Sequence, residues 1–239
     1  MSVSSAAGST GLKAARTVLE GSALLARPLV RGATAESGRG AQDHGADTGA
    51  LPVTVLIVPG WRNSGPGHWQ SLWAERIPSA VRVQQLDWAK PHRAAWAAAV
   101  QEAILGAPQP VVIVAHSLGC IASVHALASL SPEALARVAG ALFVAPADPE
   151  RRALFEDFSP VPAHPLPFGS IVAAGSNDPY CPIRMASAYA KSWASTFVRV
   201  PDGGHINIES GHGEWPLGWA LLGALVAQAR ARAPIRAAA

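Results

Sequence analysis

From Leu51 onward the chain repeats one plan: a short β-branched run ends in Gly, Pro or Asp and gives way to a stretch with helical apolar spacing. The runs are Val53–Val58, Val81–Leu86, Val111–Ala115, Ala141–Val144, Ser170–Ala174 and Thr196–Val200. Three of them (VTVLIV, VVIVA and ALFVA) are continuously apolar rather than alternating, the mark of strands covered on both faces. Helices are predicted over His68–Arg76, Arg93–Leu105, Leu118–Leu130, Ile183–Trp193 and Pro216–Arg230. In the first, Trp69, Leu72, Trp73 and Arg76 fall at i, i+3, i+4 and i+7, and Pro216 suits the first turn of the last. Strand alternating with helix throughout predicts an α/β domain over residues 51–230, with about six parallel strands, right-handed crossovers and helices on both faces. The proline-rich stretch 145–169 lacks a clear period and reads as a loop or minimal cap.

Residues 1–50 read differently. They are rich in Ala, Ser, Gly and Thr and contain no aromatic residue. Lys13, Arg16 and Arg27 interrupt the apolar spacing of residues 12–30, so no secretory apolar core is present. The segment reads as a disordered or targeting-like extension, or as a start placed too far upstream, and nothing catalytic is expected of it. The whole chain carries +3 and a pI near 9.2, which invites a nucleic-acid reading. Yet the excess lies at the ends: residues 51–229 hold 11 Lys+Arg against 12 Asp+Glu, whereas the final stretch adds Arg230, Arg232 and Arg236. Residues 231–239 therefore read as a basic tail, not a basic groove, and no nucleic-acid partner is expected. No apolar run reaches the roughly 18 to 20 residues of a membrane span. Cys120 and Cys181 are too few for a disulfide scaffold and sit in no C-x-x-C pattern, which fits a cytoplasmic protein with two free thiols.

In open α/β sheets the chemistry sits beyond the carboxyl ends of the strands, so the residues just past each run are the informative ones. VVIVA leads into His116-Ser117-Leu118-Gly119-Cys120 and a helix. This is a G-x-S-x-G elbow with Ala115 in place of the first glycine. Small residues on either side of the serine let a strand turn sharply into a helix, lifting the hydroxyl over the helix N-terminus. Ser117 is the expected nucleophile; the alternative is an ordinary helix cap.

A serine nucleophile needs a base, and the base an acidic orienter, in the chain order Ser, Asp or Glu, His. Among His116, His125, His164, His205 and His212, only His205 directly follows a strand, through the flexible Pro201-Asp202-Gly203-Gly204. His116 is expected to point away from the serine into the interior. Asp87, Asp148 and Asp178 end strands; Asp87 precedes the serine, Asp178 lies one strand before the His205 loop, and Asp148 is the reserve. An oxyanion hole would take the N–H of Leu118 and, from the loop after the first strand, that of Trp61, with Gly60 turning the backbone inward. That loop lacks the lysine and hydroxyl of a phosphate-binding P-loop. Eight tryptophans stand against two tyrosines. Trp69, Trp73, Trp96 and Trp219 are expected in the core, and Trp61, Trp88 and Trp215, near strand ends, either line a substrate pocket or pack. No His or Cys cluster has metal-ligand spacing, and neither metal nor cofactor is expected.

The segments V-P-G-W-R-N-S-G-P-G-H-W-Q-S-L-W (58–73), A-H-S-L-G-C (115–120), G-S-N-D-P-Y-C-P (175–182) and G-G-H-I-N-I-E-S-G-H-G-E-W-P-L-G (203–218) resemble the retinoblastoma-binding protein 9-like small serine hydrolases, a branch of the α/β-hydrolase superfamily. The resemblance implies an α/β-hydrolase fold with a minimal cap, a Ser117–Asp178–His205 triad and an esterase-like activity on a small ester, thioester or amide. It does not carry retinoblastoma-protein binding, because the Leu-x-Cys-x-Glu type of motif is absent. Two other functions use the same features differently: a silent hydrolase fold acting as a binding module, and acyl transfer or perhydrolysis on the same triad. Oligomeric state leaves no mark in the sequence.

Overall fold

The computed structural model describes residues 53–232. The expected extension 1–50 and the tail beyond 232 lie outside the described residues. Twelve regular elements run in chain order: β1 Thr54–Val58, α1 Trp69–Arg76, β2 Ala80–Arg82, α2 Arg93–Gly106, β3 Val111–His116, α3 Leu118–Ala128, α4 Pro132–Leu135, β4 Val138–Val144, β5 Gly169–Gly175, α5 Ile183–Ser192, β6 Thr196–Val200 and α6 Pro216–Arg232. The six strands form one sheet, ordered β2-β1-β3-β4-β5-β6, with every neighbouring pair parallel. This is the α/β-hydrolase architecture in a single domain.

The continuously apolar runs are explained by what covers them. Strand side chains alternate between faces. Leu56, Val58, Val111, Ile113 and Ala115 pack against α2, α3 and α5 through Trp96, Val100, Ile121 and Ala190, with Trp193 just past the end of α5. Their neighbours Val55, Ile57, Val112 and Val114 pack on the other face against α1 and α6, through Trp69, Trp73, Leu222 and Leu225. With a helix layer on each side, both faces of the central strands must be apolar.

After β1 the chain turns toward β2 at one edge, then returns to place β3 on the other side of β1. The loops leaving β1 and β3 therefore diverge at adjacent strand ends, the topological switch point where ligands bind in such sheets. Buried Gln70 ties these ends together: its Nε2 donates to Val58 O (3.2 Å) and Val114 O (3.1 Å), and its Oε1 accepts from Ser64 Oγ (2.7 Å).

The second strand is shorter than its composition predicts. Pairing covers only Ala80–Arg82, opposite Val55–Ile57. Beyond it the chain leaves the sheet, Leu86 is 96% exposed, and the Asp87 carboxylate accepts the N–H groups of Ala89 and Lys90 in a turn. A short edge strand limits edge-to-edge pairing. Between β4 and β5, two 3-10 turns (Pro149–Arg151 and Ala153–Phe158) lay Phe155 and Phe158 onto the core, which makes the stretch a small anchored cap. The last helix continues through Arg232, two residues into the expected tail.

Gly119 shows how tightly the elbow is built. A Cβ there would lie 2.5 Å from Pro59 O and closer still to Val58 O, so α3 can approach β1 only because the side chain is missing. Since both obstacles are backbone, Gly119→Ala is expected to destabilise the fold by about 3 kcal/mol, the upper end of ordinary overpacking. Urea unfolding measures it; a midpoint unchanged from the parent would contradict so close an approach.

Candidate active site

Ser117 follows the last residue of β3 with φ 55° and ψ −124°, a left-handed conformation that costs a non-glycine residue about 1–3 kcal/mol. Its neighbours hold it there. Ser117 N–H donates to Val144 O (3.0 Å), and its carbonyl accepts from Ala147 N–H (3.2 Å) and Cys120 N–H (3.0 Å). The hydroxyl makes no capping bond to α3. It lies instead 2.9 Å from His205 Nε2.

His205 is delivered by the turn after β6. Both ends of that turn are pinned to the turn after β5: Asp202 N–H donates to Ser176 Oγ (2.9 Å), and Gly204 N–H to Asn177 Oδ1 (2.7 Å). The imidazole Nδ1 meets Asp178 Oδ2 at 2.9 Å and Oδ1 at 3.1 Å. An ionised carboxylate only accepts, so the proton sits on Nδ1 and the Nε2 lone pair faces the Ser117 hydroxyl. The Asp178 carboxylate is buried and also accepts the N–H of Tyr180 (2.8 Å). Tyr180 packs edge-on against the His205 ring, with centroids 4.5 Å apart. The structure thus brings Ser117, His205 and Asp178 into one hydrogen-bonded chain. Asp148, the reserve acid, caps its own turn through Glu150 N–H (3.2 Å) and makes no bond to His205.

Gly60 lets the β1 loop touch the elbow: a Cβ at that position would fall 2.8 Å from the Ser117 Cβ and 3.3 Å from Leu118 N. Leu118 begins α3, so its N–H lies outside the helix ladder, and the Trp61 backbone N–H makes no hydrogen bond among the described residues. Above them lies a cleft of about 620 Å³ lined by Gly60, Trp61, Ser117 and His205, with Phe155 from the cap and Tyr180.

Two of the expected substrate-binding tryptophans are elsewhere. Trp215 is buried against Trp69 and Trp73, because a positive φ at Trp215 folds its indole back over Gly218, where no side chain stands in the way. Trp88 packs against Trp96 and lends its carbonyl to Arg62 N–H, so it supports the β1 loop from behind without lining the cleft. His116 is buried as expected, but it does not turn from the site altogether: its Nε2 meets His205 O at 2.9 Å, and it also lines the cleft. That bond fixes the main chain carrying the imidazole.

His68 is a site residue that sequence reasoning missed. Its Nδ1 accepts Gln70 N–H at the start of α1, and its ring packs against His116 inside the cleft. Burial, assisted by the nearby charges of Arg82 and His205, lowers its pKa from 6.5 to about 4. Burial also drives His116 well below the ordinary value. In the unfolded chain both imidazoles titrate near 6.5, so below that pH the unfolded state binds protons that the folded state refuses. Their contribution is intact above about pH 6.5 and lost as pH falls toward 4. At about pH 5 His68 should cost roughly 2 kcal/mol relative to neutrality, and His116 adds a loss of the same sign. Urea unfolding at pH 7.5 and 5 tests this, with His68→Gln expected to lose correspondingly less; parallel losses in parent and variant would contradict it.

Comparison with known proteins adds to this geometry. A YdeN-like protein of Pectobacterium atrosepticum is 33% identical, covering 74% of this chain and 92% of its own, with a TM-score of 0.68. The ydeN gene product of B. subtilis is 20% identical over 74% of this chain and 100% of its own, with a TM-score of 0.63. Esterase RhEst1 from Rhodococcus sp. shares the fold at 14% identity over 73% of this chain and 90% of its own, TM-score 0.53. No curated protein matches the sequence. Residues 55–224 match the family described as serine hydrolase, a stretch that holds the elbow, the cap and every member of the hydrogen-bonded chain, and the protein belongs to that family.

Proposed function

We propose that the protein is a serine hydrolase of small esters, thioesters or amides that works through an acyl-enzyme, of the retinoblastoma-binding protein 9-like kind. The observation that carries this reading is the continuous chain from Ser117 Oγ through the His205 ring to Asp178, with 2.9 Å at each link. In the reaction His205 Nε2 takes the hydroxyl proton as Ser117 Oγ attacks the carbonyl carbon. Asp178 holds the tautomer and stabilises the imidazolium. The backbone N–H groups of Leu118 and Trp61 are assigned to the oxyanion. His205 returns its proton to the departing alcohol, thiol or amine, and then takes one from the water that releases the acyl group.

Every role is filled by a side chain or a backbone donor of this chain, so the reading calls for no cofactor. The cleft volume suits a small molecule. Cys120 and Cys181 are both free and buried, which fits the reducing cytoplasm we assign to the protein. No helix among the described residues is long and apolar enough to cross a membrane.

A fluorophosphonate probe should label Ser117, and a panel of short esters, thioesters and amides should show turnover. Product analysis with added alcohol or peroxide separates hydrolysis from acyl transfer and perhydrolysis. Absence of both labelling and turnover would leave a binding module instead.

A further inference from the structure

Resting on the hydrolase reading, we infer that the preferred substrate is an ester carrying a single carboxylate, held by Arg152 and Arg62 at the mouth of the cleft. Arg62, Arg151 and Arg152 all line the cleft that holds Ser117. Among the described residues none of the three has a carboxylate within 4 Å, and the one ion pair there is His205–Asp178.

Arg152 and Arg62 are nevertheless held in place, by aromatic faces. The Arg152 guanidinium lies 5.0 Å from the Tyr180 ring centre and 5.4 Å from that of Trp61. Arg62 covers the Trp61 ring at 4.2 Å. Stacking fixes the plane of a guanidinium while leaving its N–H edge free, and that planar fork matches a carboxylate. Tyr180 in turn packs on His205, so Arg152 stands one aromatic ring from the imidazole. A substrate whose carbonyl sits at Ser117 can therefore present an anion a few bonds away to a positioned cation that has no carboxylate partner among the described residues.

The other charges in the wall set how much negative charge it accepts. Asp148 and Glu209 also line the cleft, while the Asp178 carboxylate is buried behind His205. Three guanidiniums against two carboxylates leave one positive charge. That balance suits a monoanionic carboxylate and disfavours a dianionic phosphate.

Two isosteric pairs test this. One places the charge on the acyl side (monoethyl glutarate against ethyl 5-methylhexanoate), the other on the alcohol side (4-acetoxybutanoate against 4-methylpentyl acetate). In at least one pair kcat/KM should favour the anion about tenfold at low salt, the size expected of one charge-assisted hydrogen bond. The ratio should shrink in 1 M NaCl, fall toward unity in the Arg62→Gln/Arg152→Gln double variant, and survive in part in Arg152→Lys. The parent's salt response keeps the test alive should the double variant fold poorly.

No anion preference in either pair, or a preference indifferent to both salt and the double substitution, would overturn the inference. Calorimetry of monoethyl glutarate and 4-acetoxybutanoate on the Ser117→Ala protein separates it from the hydrolase reading. Arginine-dependent binding without turnover of any ester by the parent would sink hydrolysis and keep the anion site. Turnover of neutral esters with no preference for the anion would do the reverse.

Discussion

Ser117→Ala is expected to remove fluorophosphonate labelling and to lower ester kcat by about 10⁶, the scale seen when a serine nucleophile is deleted from a triad that acts as a unit. The loss is large because the remaining groups have nothing to act on: His205 Nε2 would face a methyl group in place of the hydroxyl it meets at 2.9 Å. The fold should survive. The bonds that hold the elbow, from Ser117 N–H to Val144 O and from Cys120 and Ala147 N–H to Ser117 O, are all main-chain. Active-site labelling with a far-UV spectrum and melting curve reads both halves at once. Labelling that persists in the variant would move the nucleophile elsewhere.

The second large effect separates two aspartates. Asp178→Asn should lower kcat by about 10⁴, as an amide in place of the orienting carboxylate does in related triads, because it can donate to Nδ1 and stabilise the wrong tautomer. Asp148→Asn should stay within about tenfold, the range of a residue outside the reacting unit. The geometry behind the contrast is plain. Asp178 gives both oxygens to His205 Nδ1, whereas Asp148 gives one to the N–H of Glu150 in its own turn. A steady-state comparison on a single ester decides it, and the reverse ranking would give the orienting role to Asp148.

Much of this is legible in the sequence because each strand of the sheet is a separate apolar run with its own punctuation. VVIVA and the adjoining His116-Ser117-Leu118-Gly119 read correctly as strand, turn and helix because the small residues there have one steric purpose. The edge strand reads too long because Val81 to Leu86 looks continuous, whereas the paired residues end at Ile57–Arg82 and the chain leaves the sheet after the Val83 N–H bond to Ile57 O. The aromatic residues are the least legible. Trp61, Trp88 and Trp215 all come after strands, yet only Trp61 faces the cleft, and the fate of Trp215 is decided by Gly218 three residues later. His68 escapes a sequence reading because its role depends on His116, a ring 48 positions away that no local pattern announces.

The sheet order has a consequence for how the protein loses function. His205 hangs from β6, an edge strand with one neighbour and only Val200 buried along its length. Ser117 hangs from β3, flanked by β1 and β4, 88 residues earlier in the chain. Local openings run from nearly costless at edges and loops up to the full free energy of unfolding at the centre. In the proposed reaction, fraying of β6 alone would take the base away from an otherwise intact nucleophile. Under mild denaturant or heat, the proposed catalysis is therefore expected to fail first at the rim of the sheet, while the interior that carries the serine is still folded.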